Sequence, residues 1–130
     1  MNDLYQEAIL DEYKHLQNKG ELSDADITLE GGNASCGDEI TVYVKVDGEG
    51  GISDISWTGT GCVISQVGIS LLTQKVKSEK WKVQDISKLT KKNILELLGL
   101  EQISAGREKC LMLGVNTLKK VIEKLSKLSN

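Results

Sequence analysis

The feature that most limits how this chain can fold is a change of hydrophobic period near residue 62. Residues 40–47 alternate between apolar and polar side chains, which is the period of a strand with one buried face. The sequence DGEGG at 47–51 then predicts a turn, and a returning strand is expected from about Ile52 to Trp57. From Val63 onward the apolar residues recur at helical spacing. A hairpin followed by helices indicates an α+β protein.

Helical spacing also marks both ends of the chain. The first helix is predicted to stop at Asn18-Lys19-Gly20, and a short helix at 90–98 to stop at Gly99. The clearest apolar stripe predicts a final helix, and it consists of Leu111, Val115, Leu118, Ile122 and Leu125. A strand candidate lies at 25–32, and a lysine-rich connector carries Trp81. We therefore expect a single domain over 1–130, with a small antiparallel sheet packed against several helices.

Composition excludes several classes of function. The formal net charge is -3, and the basic residues form no block, so nucleic acid is not an expected partner. No apolar run approaches the roughly 18 residues that span a bilayer, and no charged leader precedes an apolar stretch, so we expect a soluble, cytoplasmic protein without a membrane partner. Three cysteines argue against a disulfide framework and leave metal binding, reactive thiols or core packing.

The three cysteines each lie at a junction between predicted elements. Cys36 precedes the first hairpin strand, Cys62 follows the loop TGTG, and Cys110 lies at or near the first turn of the last helix. Helix N-termini stabilise thiolates, which would act on Cys62 and Cys110. Asp38, two residues after Cys36, adds a carboxylate. Three thiolates and one carboxylate form a four-ligand set suited to zinc.

Simpler interpretations stay open for several of these residues. Cys62 and Cys110 stand beside apolar residues and could be core side chains, and no C-x-x-C pair is present. Cys36 lies in a turn, where a core role is not expected. His15 could pair with Cys36 as in Cys-His catalysis, although a surface role is the simpler interpretation. Arg107 lies about one helical turn before Cys110 and could face the same site or be a solvated charge.

The motifs ASCGD, GTGCVIS and REKC, together with the opening 24 residues from Leu4, resemble the IscU/NifU N-terminal family of iron-sulfur cluster assembly proteins. The resemblance implies an α+β fold with a three-stranded antiparallel sheet and a site of Cys36, Asp38, Cys62 and Cys110. It implies that these residues receive persulfide sulfur from a pyridoxal-phosphate cysteine desulfurase and hold zinc or an iron-sulfur cluster for downstream acceptor proteins.

This chain departs from the family pattern in ways that bear on its branch. Lys109 stands where the scaffold branch has histidine, and Arg107 with Cys110 matches the R-x-x-C pattern of the SufU-like branch. The segment 63–109 is shorter than SufU-like proteins usually carry, and family prolines are replaced at Ala34, Leu16 and Gly114. The resemblance thus favours a zinc-dependent sulfur relay with Cys36 as acceptor and Arg107 as auxiliary residue. A [2Fe-2S] scaffold and a purely structural zinc module are the alternatives.

Overall fold

The computed structural model describes residues 3–33 and 37–128, and its sheet is built from three strands. β1 (Ile27–Asn33), β2 (Asp38–Val46) and β3 (Ile52–Thr60) form an antiparallel sheet in the order β1-β2-β3. Val42 in the central strand lies opposite Leu29 on one side and Trp57 on the other. The predicted hairpin and the three-stranded sheet are both confirmed.

Five helices accompany the sheet in the described residues, and they are α1 (Asp3–Lys14), α2 (Val63–Ser78), α3 (Val83–Ser87), α4 (Lys91–Leu98) and α5 (Ala105–Leu128). α5 packs on β1 and β2, α2 packs on β3, and the two helices also contact each other. Their apolar faces meet the buried face of the sheet, where Val42, Trp57 and Leu118 are fully buried. The core therefore lies between the sheet and α2 with α5, as the α+β prediction requires.

The first helix ends earlier than the sequence predicts. α1 stops at Lys14, and Asn18 takes a left-handed conformation with φ 60°. The Trp57 N–H donates to the Asn18 carbonyl at 3.0 Å, and the Gly20 N–H donates to the Trp57 carbonyl at 2.7 Å. These bonds to β3 take the place of helical ones, so segment 17–20 leaves the helix and runs beside the sheet.

The predicted lysine-rich connector contains a helix that the sequence pattern did not reveal. α3 is only five residues long, too short for a hydrophobic period to be visible. Its first turn is held by the Asp85 carboxylate, which accepts a hydrogen bond from the Lys82 N–H at 2.8 Å. The next helix, α4, ends as predicted at Gly99, whose left-handed φ of 72° suits a glycine.

Helix α2 buries polar residues as well as apolar ones. Gln66, Ser70 and Thr73 recur at helical spacing and are all buried. Segment 17–20 covers this stripe, with the Gln17 N–H donating to Ser70 Oγ at 2.7 Å and Asn18 Nδ2 donating to Thr73 Oγ1 at 3.2 Å. Most of the predicted helix is therefore buried, and segment 17–20 provides hydrogen-bond partners for its buried polar side chains.

Across residues 3–33 and 37–128, none of the helices combines the length and the apolar character that crossing a bilayer requires.

The hairpin turn contains a carboxylate, that of Asp47, whose contribution to stability is expected to depend on pH. Asp47 Oδ1 accepts hydrogen bonds from the N–H groups of Glu49 and Gly51, each at 2.8 Å, and these bonds lower the pKa of Asp47 below its ordinary value of 3.8. The carboxylate therefore stabilises the fold above about pH 3.8, and this stabilisation is lost as the pH falls through the lowered pKa.

We expect Asp47→Asn to lower the melting temperature at pH 7 and to lose that deficit progressively as the pH falls below 3.8 and through the lowered pKa of Asp47, because the carboxylate then becomes neutral like the amide. Thermal unfolding followed by circular dichroism at several pH values measures the difference. A deficit that stays constant as the pH falls through this range would contradict an origin in the charge.

Candidate metal centre

Asp38 opens the central strand and points a carboxylate into the protein. Gly37 precedes it with a left-handed φ of 71°, a conformation that suits glycine and turns the chain into β2. Asp38 is 1% exposed, and its Oδ1 accepts a hydrogen bond from the Cys62 N–H at 2.9 Å. Asp38 and Cys62 are thus brought together by a direct contact between the start of β2 and the end of the loop after β3.

Cys62 occupies the N-cap of α2, as the sequence predicts. Its carbonyl accepts hydrogen bonds from Ser65 Oγ at 3.0 Å and from the Gln66 N–H at 3.3 Å, which begins the helix. Its thiol is partly exposed. Gly61 precedes it with a φ of 149°, and a Cβ at that position would collide with Asp38 Oδ1. Glycine is therefore required for Cys62 to reach Asp38.

Cys110 lies near the first turn of its helix, as the sequence predicts. α5 begins at Ala105, so Cys110 belongs to its second turn. The field of a helix N-terminus falls off within the first turn, so the helix end acts less on Cys110 than it would on a residue of that turn. The residue is 4% exposed, and it faces the groups at the start of β2 and α2.

The three residues form one cluster. The carboxylate of Asp38 and the Sγ atoms of Cys62 and Cys110 lie within 4.8 Å of one another. Donors around a tetrahedral ion bound at about 2.0–2.3 Å lie roughly 3.3–3.8 Å apart, so side-chain adjustments of about 1 Å would bring the three onto one ion. Two soft thiolates and a carboxylate suit zinc or iron, and the donor set fits either. These residues could hold a metal.

The remaining predicted site residues are placed differently. Cys36, the proposed fourth ligand and sulfur acceptor, lies outside the described residues. Arg107 is exposed in the first turn of α5 and lines a groove of about 450 Å³ with Ile64 and Ile103. His15 is exposed after α1, where its Nδ1 lies 3.0 Å from the Asp11 carbonyl, so the surface interpretation is confirmed.

Two residues that support the cluster were not singled out from the sequence. Gly61 could have been found, since the second glycine of TGTG directly precedes a candidate ligand. Gln66 could have been suspected as the one amide among the apolar residues that open α2. Its partner Lys19 lies 47 residues away along the chain, so that contact required the tertiary structure.

Comparison with known proteins identifies the family of the chain. The family model for the NifU-like N terminal domain matches residues 4–129. The iron-sulfur cluster assembly scaffold protein IscU of Thermotoga maritima is 35% identical, in a match covering 95% of this chain and 96% of that protein. The zinc-dependent sulfurtransferase SufU of Bacillus subtilis is 38% identical over 61% of this chain and 52% of that protein.

A solved structure shares the whole architecture. The N-terminal part of a nitrogen-fixing NifU-like protein from Brucella abortus superposes with a TM-score of 0.80, covering 96% of each chain at 16% identity. The fold and the cysteine cluster thus define a protein of the NifU N-terminal type. The chain belongs to the NifU-like N-terminal domain family, in which the IscU and SufU proteins are its relatives.

Proposed function

We propose that this chain is an iron-sulfur cluster assembly protein that receives sulfur at Cys36 and holds a metal centre with Cys36, Asp38, Cys62 and Cys110. The observation that carries the proposal is the convergence of Asp38, Cys62 and Cys110, from three separate elements, within 4.8 Å. Cys36 stands two residues before Asp38 in the sequence, which makes its thiol the candidate fourth donor. The partners are a pyridoxal-phosphate cysteine desulfurase, as sulfur donor, and cytoplasmic iron-sulfur acceptor proteins.

The sulfur transfer uses the chemistry of thiol-disulfide exchange. The Cys36 thiolate attacks the outer sulfur of the desulfurase persulfide, so a new S–S bond forms on Cys36 while the bond to the desulfurase cysteine breaks. The desulfurase cysteine leaves as a thiolate, and no external oxidant or reductant is needed. Asp38, Cys62 and Cys110 would hold a bound ion while Cys36 reacts. A bound metal ion would keep the remaining cysteines deprotonated at neutral pH.

Two versions of this function use the same residues. A scaffold role, in which a [2Fe-2S] cluster is assembled as cargo, is supported by the Thermotoga relative, which matches almost from end to end. A zinc-dependent sulfur relay is supported by the Bacillus relative and by Lys109. Lys109 stands where the scaffold branch has a histidine, and its exposed ammonium cannot replace a histidine as a metal ligand. The scaffold role has the broader support, because the match covers 96% of the Thermotoga protein but only 52% of the Bacillus protein.

The role of Cys36 is tested by sulfur transfer from a cysteine desulfurase supplied with radiolabelled cysteine. We expect Cys36→Ser to lower the label bound to the chain by at least about 10-fold, since a hydroxyl does not replace a thiolate nucleophile. Cys62→Ser is the matched control, because it also removes one ligand but leaves the acceptor in place. If Cys36→Ser accepts as much sulfur as the unaltered chain, the assignment is wrong.

Anaerobic reconstitution with iron and sulfide separates the two versions. A visible chromophore that passes to an apo-acceptor supports the scaffold, whereas one zinc per chain with accelerated desulfurase turnover supports the relay. A purely structural zinc module predicts one zinc per chain, with no chromophore and no acceleration of desulfurase turnover. In that case chelation would unfold the chain, and desulfurase turnover would stay unchanged when the chain is added.

A further inference from the structure

The peptide group that joins Gly61 to Cys62 is held by side chains at both of its polar atoms. Its N–H donates to Asp38 Oδ1 at 2.9 Å, and its carbonyl accepts a hydrogen bond from Gln66 Nε2 at 2.9 Å. A peptide group held at both ends cannot rotate without breaking one of these bonds. Its orientation sets the direction in which the Cys62 side chain leaves the backbone.

Gln66 is itself held in place from the far side. Lys19 Nζ donates to Gln66 Oε1 at 3.1 Å, and the same ammonium lies 5.2 Å from the centre of the Trp57 ring. A lysine can only donate, so it selects the amide oxygen of Gln66 and turns the NH2 group toward the Gly61 carbonyl. Gln66 is 5% exposed, which removes competition from solvent.

We propose that Gln66 is a positioning residue for the metal centre, which orients Cys62 through the Gly61 carbonyl and is itself oriented by Lys19. The inference rests on the proposed metal site, because the role assigned to Gln66 is to orient Cys62, one of the ligands of that site. It connects segment 17–20, on which Lys19 lies, to Cys62 at the N-cap of α2 through two side-chain hydrogen bonds and the peptide group between Gly61 and Cys62. Gln66 touches no reacting atom and acts through the loop alone.

The test variant is Gln66→Met, which keeps the length and the burial of the side chain and removes both hydrogen-bonding ends. We expect cobalt(II), used as a spectroscopic probe, to bind about 10-fold more weakly, the low end of the roughly 10–100-fold loss typical of residues that orient metal ligands. The thiolate-to-cobalt absorption should also shift, and the Cys62 amide should exchange with solvent faster in the metal-free protein.

Thr73→Val is the matched control on the same polar stripe. It removes the bond to Asn18 but none to the loop before α2, so it reports what loosening segment 17–20 does without disturbing Gly61. We expect it to lower the melting temperature while the cobalt spectrum and the Cys62 amide exchange stay as in the unaltered chain. Lys19→Met should change the cobalt spectrum and the Cys62 amide exchange in the same direction as Gln66→Met, but to a smaller extent.

The outcomes separate this inference from the proposed function. If the unaltered chain binds cobalt through thiolates and Gln66→Met has the same affinity, spectrum and amide exchange, the positioning role is overturned while the metal site stands. If the unaltered chain binds no cobalt, the metal site itself fails. The exchange of the Cys62 amide then decides alone whether Gln66 orders the loop before α2. If Gln66→Met leaves that exchange rate unchanged, the ordering role is overturned as well.

Discussion

Replacing Cys110 with alanine is expected to weaken zinc or cobalt binding by more than about 100-fold, since losing a ligand exceeds the roughly 10–100-fold cost of losing a residue that orients one. Alanine is preferred to serine because Cys110 is 4% exposed and a hydroxyl would add an unpaired polar group to a buried position. Affinity is measured by competition with a chelator of known strength, and cobalt absorption counts the remaining thiolate ligands.

The same variant addresses the simpler interpretation that Cys110 only fills the core. Leu113→Ala is the matched control, because Leu113 is similarly buried one turn further along α5 and offers no ligand atom. It should lower the melting temperature at least as much as Cys110→Ala while leaving metal affinity unchanged. If both variants lose stability and both bind metal as the unaltered chain does, Cys110 is a core side chain and the proposed ligand set is wrong.

Gly61→Ala is expected to damage stability and metal binding together. A left-handed φ of 149° strains any residue with a Cβ, and the added methyl group collides with the Asp38 carboxylate, whose Cγ would lie 2.7 Å away. Strain and overpacking together should cost about 2–4 kcal/mol, which corresponds to roughly 10 °C in melting temperature for a domain of this size. Displacing Asp38 also separates it from Cys62, so metal affinity should fall.

A second glycine allows the two causes to be distinguished. Gly20 has a φ of 155°, but a Cβ there would meet nothing within 4 Å. Gly20→Ala therefore carries the backbone strain without the collision, and we expect it to cost stability while metal affinity is kept. Calorimetry and chelator competition on both variants measure the two effects. If Gly61→Ala binds metal as tightly as Gly20→Ala does, the close approach of Asp38 is not important for the site.

The sheet and the long helices could be predicted because their signals are local. Alternation over residues 40–47 specifies which side chains of β2 are buried, and the loop glycines mark where β3 ends and α2 begins. Local patterns failed where a distant partner decides the outcome. Segment 17–20 leaves the helix because Trp57 offers it backbone hydrogen bonds, and Trp57 is distant along the chain.

The candidate site, like the fold, could be predicted from the sequence only in part. The sequence by itself determined the candidate ligand types and their expected placement at element junctions, since cysteine and aspartate chemistry and turn glycines can be identified from residue order alone. Only the tertiary structure decided that Asp38, Cys62 and Cys110 converge, that Cys110 lies a turn inside its helix, and that Gln66 holds the Gly61 carbonyl. The physical reason for the convergence is that Asp38, Cys62 and Cys110 belong to separate elements, whose relative positions are set by how α2 and α5 pack on the sheet.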